Sequence, residues 1–80
     1  MTSDMANQLG LVKHSVLVAG HRTSVSLEPE FWLALKRLAQ ANKRSVNAEI
    51  GVIDAGRGSR NLSSAIRLAI LSAYESRLDL

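Results

Sequence analysis

The chain has no cysteine, a single proline, three aromatic residues and two histidines. None of its apolar runs approaches the ~18 residues that a membrane span needs. Without cysteine there are no disulfides and no cysteine-ligated zinc, which fits a reducing cytoplasm. Residues 1–11 carry an acid (Asp4), two amides (Asn7 and Gln8) and no apolar core, so they do not read as a signal peptide. A soluble, cytoplasmic protein without a membrane partner is expected. Enzyme chemistry finds little to work with. No paired carboxylates sit at helical spacing in a plausible cleft, and nothing marks a nucleophile and a base as neighbours. His14 and His21 could build a metal site only with ligands from other subunits, so neither metal nor cofactor is expected.

Eighty residues make one domain, and a chain this short buries only about 60% of its unfolded surface. Dimerisation is a common remedy for such marginal cores. The net charge of +3 is modest, so placement matters more than total. Lys36, Arg37, Lys43 and Arg44 gather around one helix and the turn after it, while Arg57 and Arg60 lie in a glycine-bearing loop. The ordinary reading of such charges is a solvated face.

From Arg22 to Leu27 the chain alternates as a half-buried strand does, then stops at Glu28-Pro29. Thr23, Val25 and Leu27 share one face. Arg22, Ser24 and Ser26 share the other, with short hydrogen-bonding side chains suited to base edges in a major groove, which admits a two-stranded ribbon. Helices follow over about 29–42, 45–55 and 62–77. Pro29 suits a first helical turn, with Glu28 and Glu30 at the positive end of the dipole. Phe31, Trp32, Leu35, Leu38 and Ala39 recur at helical spacing. Ser45 caps the second helix, with Val46, Ile50 and Ile53 on one face. Gly51 inside it implies a close backbone contact. Asn61 or Ser63 caps the third, where Leu68 and Leu71 widen the apolar surface beyond one stripe.

A lone strand needs a partner for its backbone groups. The same strand of a second copy would supply one across a dimer axis. Residues 13–19 form a second strand candidate, joined through a type II′ turn at Gly20-His21 that sets Val18 opposite Thr23 and Val16 opposite Val25. A dimer of such hairpins has four strands, too wide for a groove that fits two. Hairpin, ribbon extension and pairing with another subunit therefore all stay open. The domain is expected over 12–80, after an N-terminal arm over 1–11.

Strand, helix, short turn and capped helix in this order resemble the ribbon-helix-helix DNA-binding superfamily, the Arc and MetJ type. RTSVSLEPEFW is similar to the family's strand and first-helix start, and KRSVNAEI to its turn and second-helix entry. GHRTSVSLEPEFW together with NLSSAIR resembles a subgroup of short bacterial members in which the preceding strand and the third helix belong to the domain. The resemblance implies a mainly α fold with a short N-terminal strand, and an obligate homodimer or higher oligomer built on an intersubunit antiparallel ribbon. It implies sequence-specific binding of double-stranded DNA by a transcriptional repressor or regulator. Arg22, Ser24 and Ser26 fall on the family's base-contacting positions. Ser45, Val46 and Asn47 fall where a helix N-terminus holds a phosphate, with Lys43 and Arg44 beside them. Glu28, in place of a short capping residue, departs from the common pattern.

Other readings compete. Ser24 and Ser26 could be a plain solvated strand face, and Ser45 a cap and no more. Phe31 and Trp32 fit a dimer core better than base stacking. Arg57-Gly58-Ser59-Arg60 reads as a flexible connection in preference to a phosphate cradle. Rival functions are an antitoxin that uses its N-terminal arm on a toxin, a protein-interaction module of this fold with an unidentified protein partner, and a helix-turn-helix reader. Glu49 and Asp54 count against the last.

Overall fold

A computed structural model describes residues 10–78. Most of the arm expected over 1–11 lies outside the described residues. Two strands, β1 (Val12–Val18) and β2 (His21–Leu27), precede three helices, α1 (Pro29–Ala41), α2 (Val46–Ala55) and α3 (Leu62–Arg77). The strands pair antiparallel within the one chain, from Val12 opposite Leu27 to Val18 opposite His21. β1 is thus the partner that the second strand was expected to seek in another copy.

The turn is Ala19-Gly20, not Gly20-His21. Both residues have positive φ, 52° and 79°, the signature of a type I′ turn, whose twist suits a hairpin. Alanine is a poor residue for that conformation, which is why the sequence pointed one position too far. The register moves by two residues: Val16 faces Thr23 and Val18 faces His21. A two-residue slip preserves the face of every side chain, because strand side chains alternate with period two.

Burial on the inner face is diagonal. Val16 and Val18 are buried near the tip of β1, and Val25 and Leu27 at the base of β2. Thr23, expected inward, points to that face but is exposed beyond the helices' cover. Hairpin twist accounts for this, since helices laid under a twisted ribbon cover opposite corners. α2 packs mainly on β1, while α1 and α3 pack on β2. Leu35, Ile50, Ile66 and Ile70 complete the core, with Phe31, Trp32, Ala34, Leu38, Val46, Ile53 and Leu62 at its margin.

Each helix boundary has a visible cause. α1 begins with Pro29, and Glu28 gives no side-chain cap. Its carboxylate instead accepts from Arg67 of α3, at 3.1 Å from Nε and 2.9 Å from Nη2. Its own backbone N–H and then Arg67 hold the Glu28 carboxyl below its ordinary pKa. Arg67 also lies 5.7 Å from the centre of the Phe31 ring, within cation–π range. α1 ends in a Schellman motif: the Lys43 N–H donates to the Gln40 carbonyl and the Arg44 N–H to the Ala39 carbonyl. Lys43 holds the left-handed position, φ 57°, that glycine usually fills. Ser45 caps α2 by accepting from the Ala48 N–H, and Asn61 caps α3 by accepting from the Ser64 N–H.

Gly51 has no close neighbour: a Cβ built there meets nothing within 4 Å. The backbone contact expected from its presence is absent among the described residues. Gly51→Ala should therefore raise stability by about 0.5–1 kcal/mol through helix propensity. Ala19→Asn should raise it by about 1 kcal/mol, since asparagine tolerates positive φ. Denaturant titrations read both as midpoint shifts at constant m. A lower midpoint for Ala19→Asn would contradict a turn centred on Ala19-Gly20.

Candidate nucleic-acid interface

The hairpin's outer face is built by alternation alone. With Val16, Val18, Val25 and Leu27 turned to the core, Arg22, Ser24 and Ser26 stand on the opposite side. Arg22 and Ser24 are exposed and Ser26 is half-buried. Two residues that the sequence reading passed over share this face: Lys13 lies opposite Ser26, and Ser15 opposite Ser24. The signal for them was the turn position, which fixes cross-strand neighbours. Leu17, opposite Arg22, is exposed here too. No residue from 12 to 27 is acidic, so nothing on either strand repels an anion.

Each strand edge is tied to a different helix start. In a hairpin closed by a two-residue turn, alternate residues direct their backbone groups away from the partner strand. The Leu17 N–H, on the free edge of β1, donates to Asn47 Oδ1 at 3.4 Å. The Ser26 N–H, on the free edge of β2, donates to Ser63 Oγ at 3.3 Å, and the Ser26 carbonyl accepts from Arg67 at 3.5 Å. Asn47 therefore fixes the start of α2 beside the hairpin tip. Ser63, considered as a cap, instead covers the β2 edge.

The α1–α2 turn sets Lys43, Arg44 and Ser45 in sequence before α2, all exposed, with Val46 half-buried and Asn47 exposed. Ser45 satisfies one of the donors at the helix start, which leaves the Val46 and Asn47 N–H groups for solvent or an anion. Arg44 is partly committed: its Nη1 lies 3.1 Å from Glu49 Oε1, the oxygen that also accepts from Asn42. Glu49 is only 4% exposed, so its carboxylate faces inward and is not on the helix's outer surface. Arg57 is held to Asp54 at 2.6 Å and to the Arg60 carbonyl. It closes its own loop through these two contacts.

Phe31 and Trp32 take core-margin positions. Trp32 stacks on His14 with ring centres 3.7 Å apart and planes 5° from parallel. Burial, and then Lys36 nearby, push the His14 pKa below its ordinary 6.5, which favours the neutral ring. His21 is exposed. Among the described residues, no three His, Cys, Asp or Glu side chains are placed to hold a metal ion, and no helix is long and apolar enough to cross a membrane.

Arg44 and Ser45 serve the fold whatever else they touch. Arg44→Ala leaves the buried Glu49 with Asn42 alone and should cost about 1–3 kcal/mol, less than for a fully buried pair because Arg44 is partly solvated. Ser45→Ala should cost about 0.5–2 kcal/mol through the lost cap. Urea titrations measure both, and an Arg44→Ala midpoint equal to the parent's would remove the ion pair from the account of stability.

A family model described as ribbon-helix-helix domain matches residues 11–74, a span that takes in both strands, α1, α2 and most of α3. No curated protein and no solved structure matches the chain. The matched span and the strand–helix–helix order agree: this chain belongs to the ribbon-helix-helix domain family, whose members are typically DNA-binding regulators.

Proposed function

We propose that the protein binds double-stranded DNA sequence-specifically, with its β-ribbon in the major groove, as a homodimeric transcriptional repressor or related regulator. The observation that carries this reading is the ribbon's outer face, where Arg22, Ser24 and Ser26 stand together on strands without a single carboxylate. Arg22 offers a bidentate fork to a guanine edge, and the serines donate to or accept from several bases. The start of α2, fixed beside the hairpin by Asn47, supports a phosphate contact. Lys43, Ser45, Val46 and Asn47 border that phosphate, and Arg44 adds charge while bonded to Glu49.

Titration of a specific and a scrambled duplex tests the assignment. Arg22→Lys keeps the charge and loses the fork, so it should reduce discrimination by about 1–3 kcal/mol per base contact. Ser24→Ala and Ser26→Ala should act alike without changing the salt slope, since neither removes a charge. Lys43→Gly should lower the slope by about one unit and weaken both duplexes evenly. Glycine suits φ 57° at that position, so unfolding cannot explain a loss. If the strand variants bind both duplexes as the parent does, the ribbon does not read DNA. The protein-interaction reading then takes over, supported by the apolar groove between α1 and α3 that Phe31, Leu68, Leu71 and Tyr74 line.

That groove also supports the homodimer. Leu68, Leu71 and Tyr74 remain exposed on α3, and a chain of this size gains most from a second copy. Sedimentation together with urea denaturation at several protein concentrations should show a midpoint that rises with concentration. A compact monomer with a concentration-independent midpoint would refute the dimer.

A further inference from the structure

The pairing of β1 with β2 gives one chain both strands of a ribbon, and we infer that Lys13 and Ser15 of β1 read bases alongside Arg22, Ser24 and Ser26. The inference rests on the proposal that the ribbon enters the major groove, and it adds residues and a spacing to that site. A groove that admits two strands is filled by β1 and β2 of a single chain, so each copy of the proposed homodimer places its own hairpin in a separate stretch of groove. Everything on the outer face then lies within reach of the base edges, whichever strand supplies it.

The register fixes the neighbours. Lys13 is paired with Ser26, Ser15 with Ser24 and Leu17 with Arg22. Directly opposed side chains have Cβ atoms ~5 Å apart, so the two serines at the centre form one polar patch and the two cations mark its ends. Lys13 and Ser15 are both exposed. Among the described residues Lys13 takes part in no ion pair, whereas Arg44, Arg57 and Arg67 are each engaged with a carboxylate. Lysine, like arginine, donates to the O6 and N7 acceptors of guanine, and an apolar side chain such as Leu17 packs against a thymine methyl.

The ends are separated by a definite length. Lys13 and Leu17, the residue opposite Arg22, lie four positions apart on β1. At ~3.4 Å per residue that is roughly 13 Å along the ribbon, or about four base-pair steps at ~3.4 Å each. Each copy's half-site should carry two guanines about four base pairs apart, one read by each cation.

The test is selection from a pool of duplexes with a randomised core, using the full chain and its Lys13→Gln, Ser15→Ala and Arg22→Lys variants. Circular dichroism and thermal unfolding should first show each variant folded like the parent, as exposed substitutions allow. The parent should enrich a site with two guanines at that spacing. Lys13→Gln should lose discrimination at one guanine by roughly tenfold or more and keep it at the other, where Arg22→Lys loses it. Ser15→Ala should relax the positions between. A parent that enriches a site while Lys13→Gln and Ser15→Ala keep its full preference overturns this inference and leaves the ribbon reading standing. Equal weakening of specific and scrambled duplexes by Lys13→Gln assigns Lys13 to phosphate and overturns it as well. A parent that enriches no sequence overturns the ribbon reading and this inference together.

Discussion

The antiparallel pairing of β1 with β2, closed by Ala19-Gly20, is the constraint on which the other features depend. Without β1, the backbone groups of β2 that face it would have no partner in the chain, and buried or unpaired strand edges are costly. With it, the register is set and the outer face acquires its cross-strand neighbours. Twist turns one corner of the ribbon toward α2 and the opposite corner toward α1 and α3, so the core runs diagonally from Val16 and Val18 to Val25 and Leu27. The two edge contacts follow the same diagonal, from Asn47 at Leu17 to Ser63 at Ser26.

The charges divide between those that hold the fold and those that do not. Arg44 compensates the buried Glu49, Arg57 closes its loop through Asp54, and Arg67 joins α3 to the β2–α1 junction through Glu28. These pairs use carboxylates from the helices and junctions. The strands from 12 to 27 have none, so no strand carboxylate offsets the positive charge of Lys13 and Arg22. A net charge of +3 understates this separation, because a local field depends on placement more than on total charge.

Much of this was legible from residue types. Period-two alternation placed Arg22, Ser24 and Ser26 together opposite Val25 and Leu27, and helical spacing found α1, α2 and α3 within a residue or so at their ends. The Ser45 cap was readable because a short hydroxyl before an apolar repeat has a local geometric reason. Side-chain partners were not readable. Glu49 counted as an acid that spoils a DNA-reading helix, whereas Arg44 and Asn42 gather round it in the fold. Gly51 looked like a close contact where the space is open. Glu28 looked like a poor cap, whereas it is the ion-pair partner of a residue 39 positions away.

The sequence by itself determined the element types, the face each strand residue takes, and the positions of the helix caps. These follow from interactions between residues a few positions apart, which any chain of this sequence carries with it. Only the tertiary structure decided that β1 pairs with β2 in the same chain, that Lys13 and Ser15 stand beside Ser26 and Ser24, and that Arg67 engages Glu28. Those outcomes depend on an alanine accepting positive φ at a turn and on side chains meeting across 30 or more positions. Local pattern carries no information about such meetings until the turn has fixed the register.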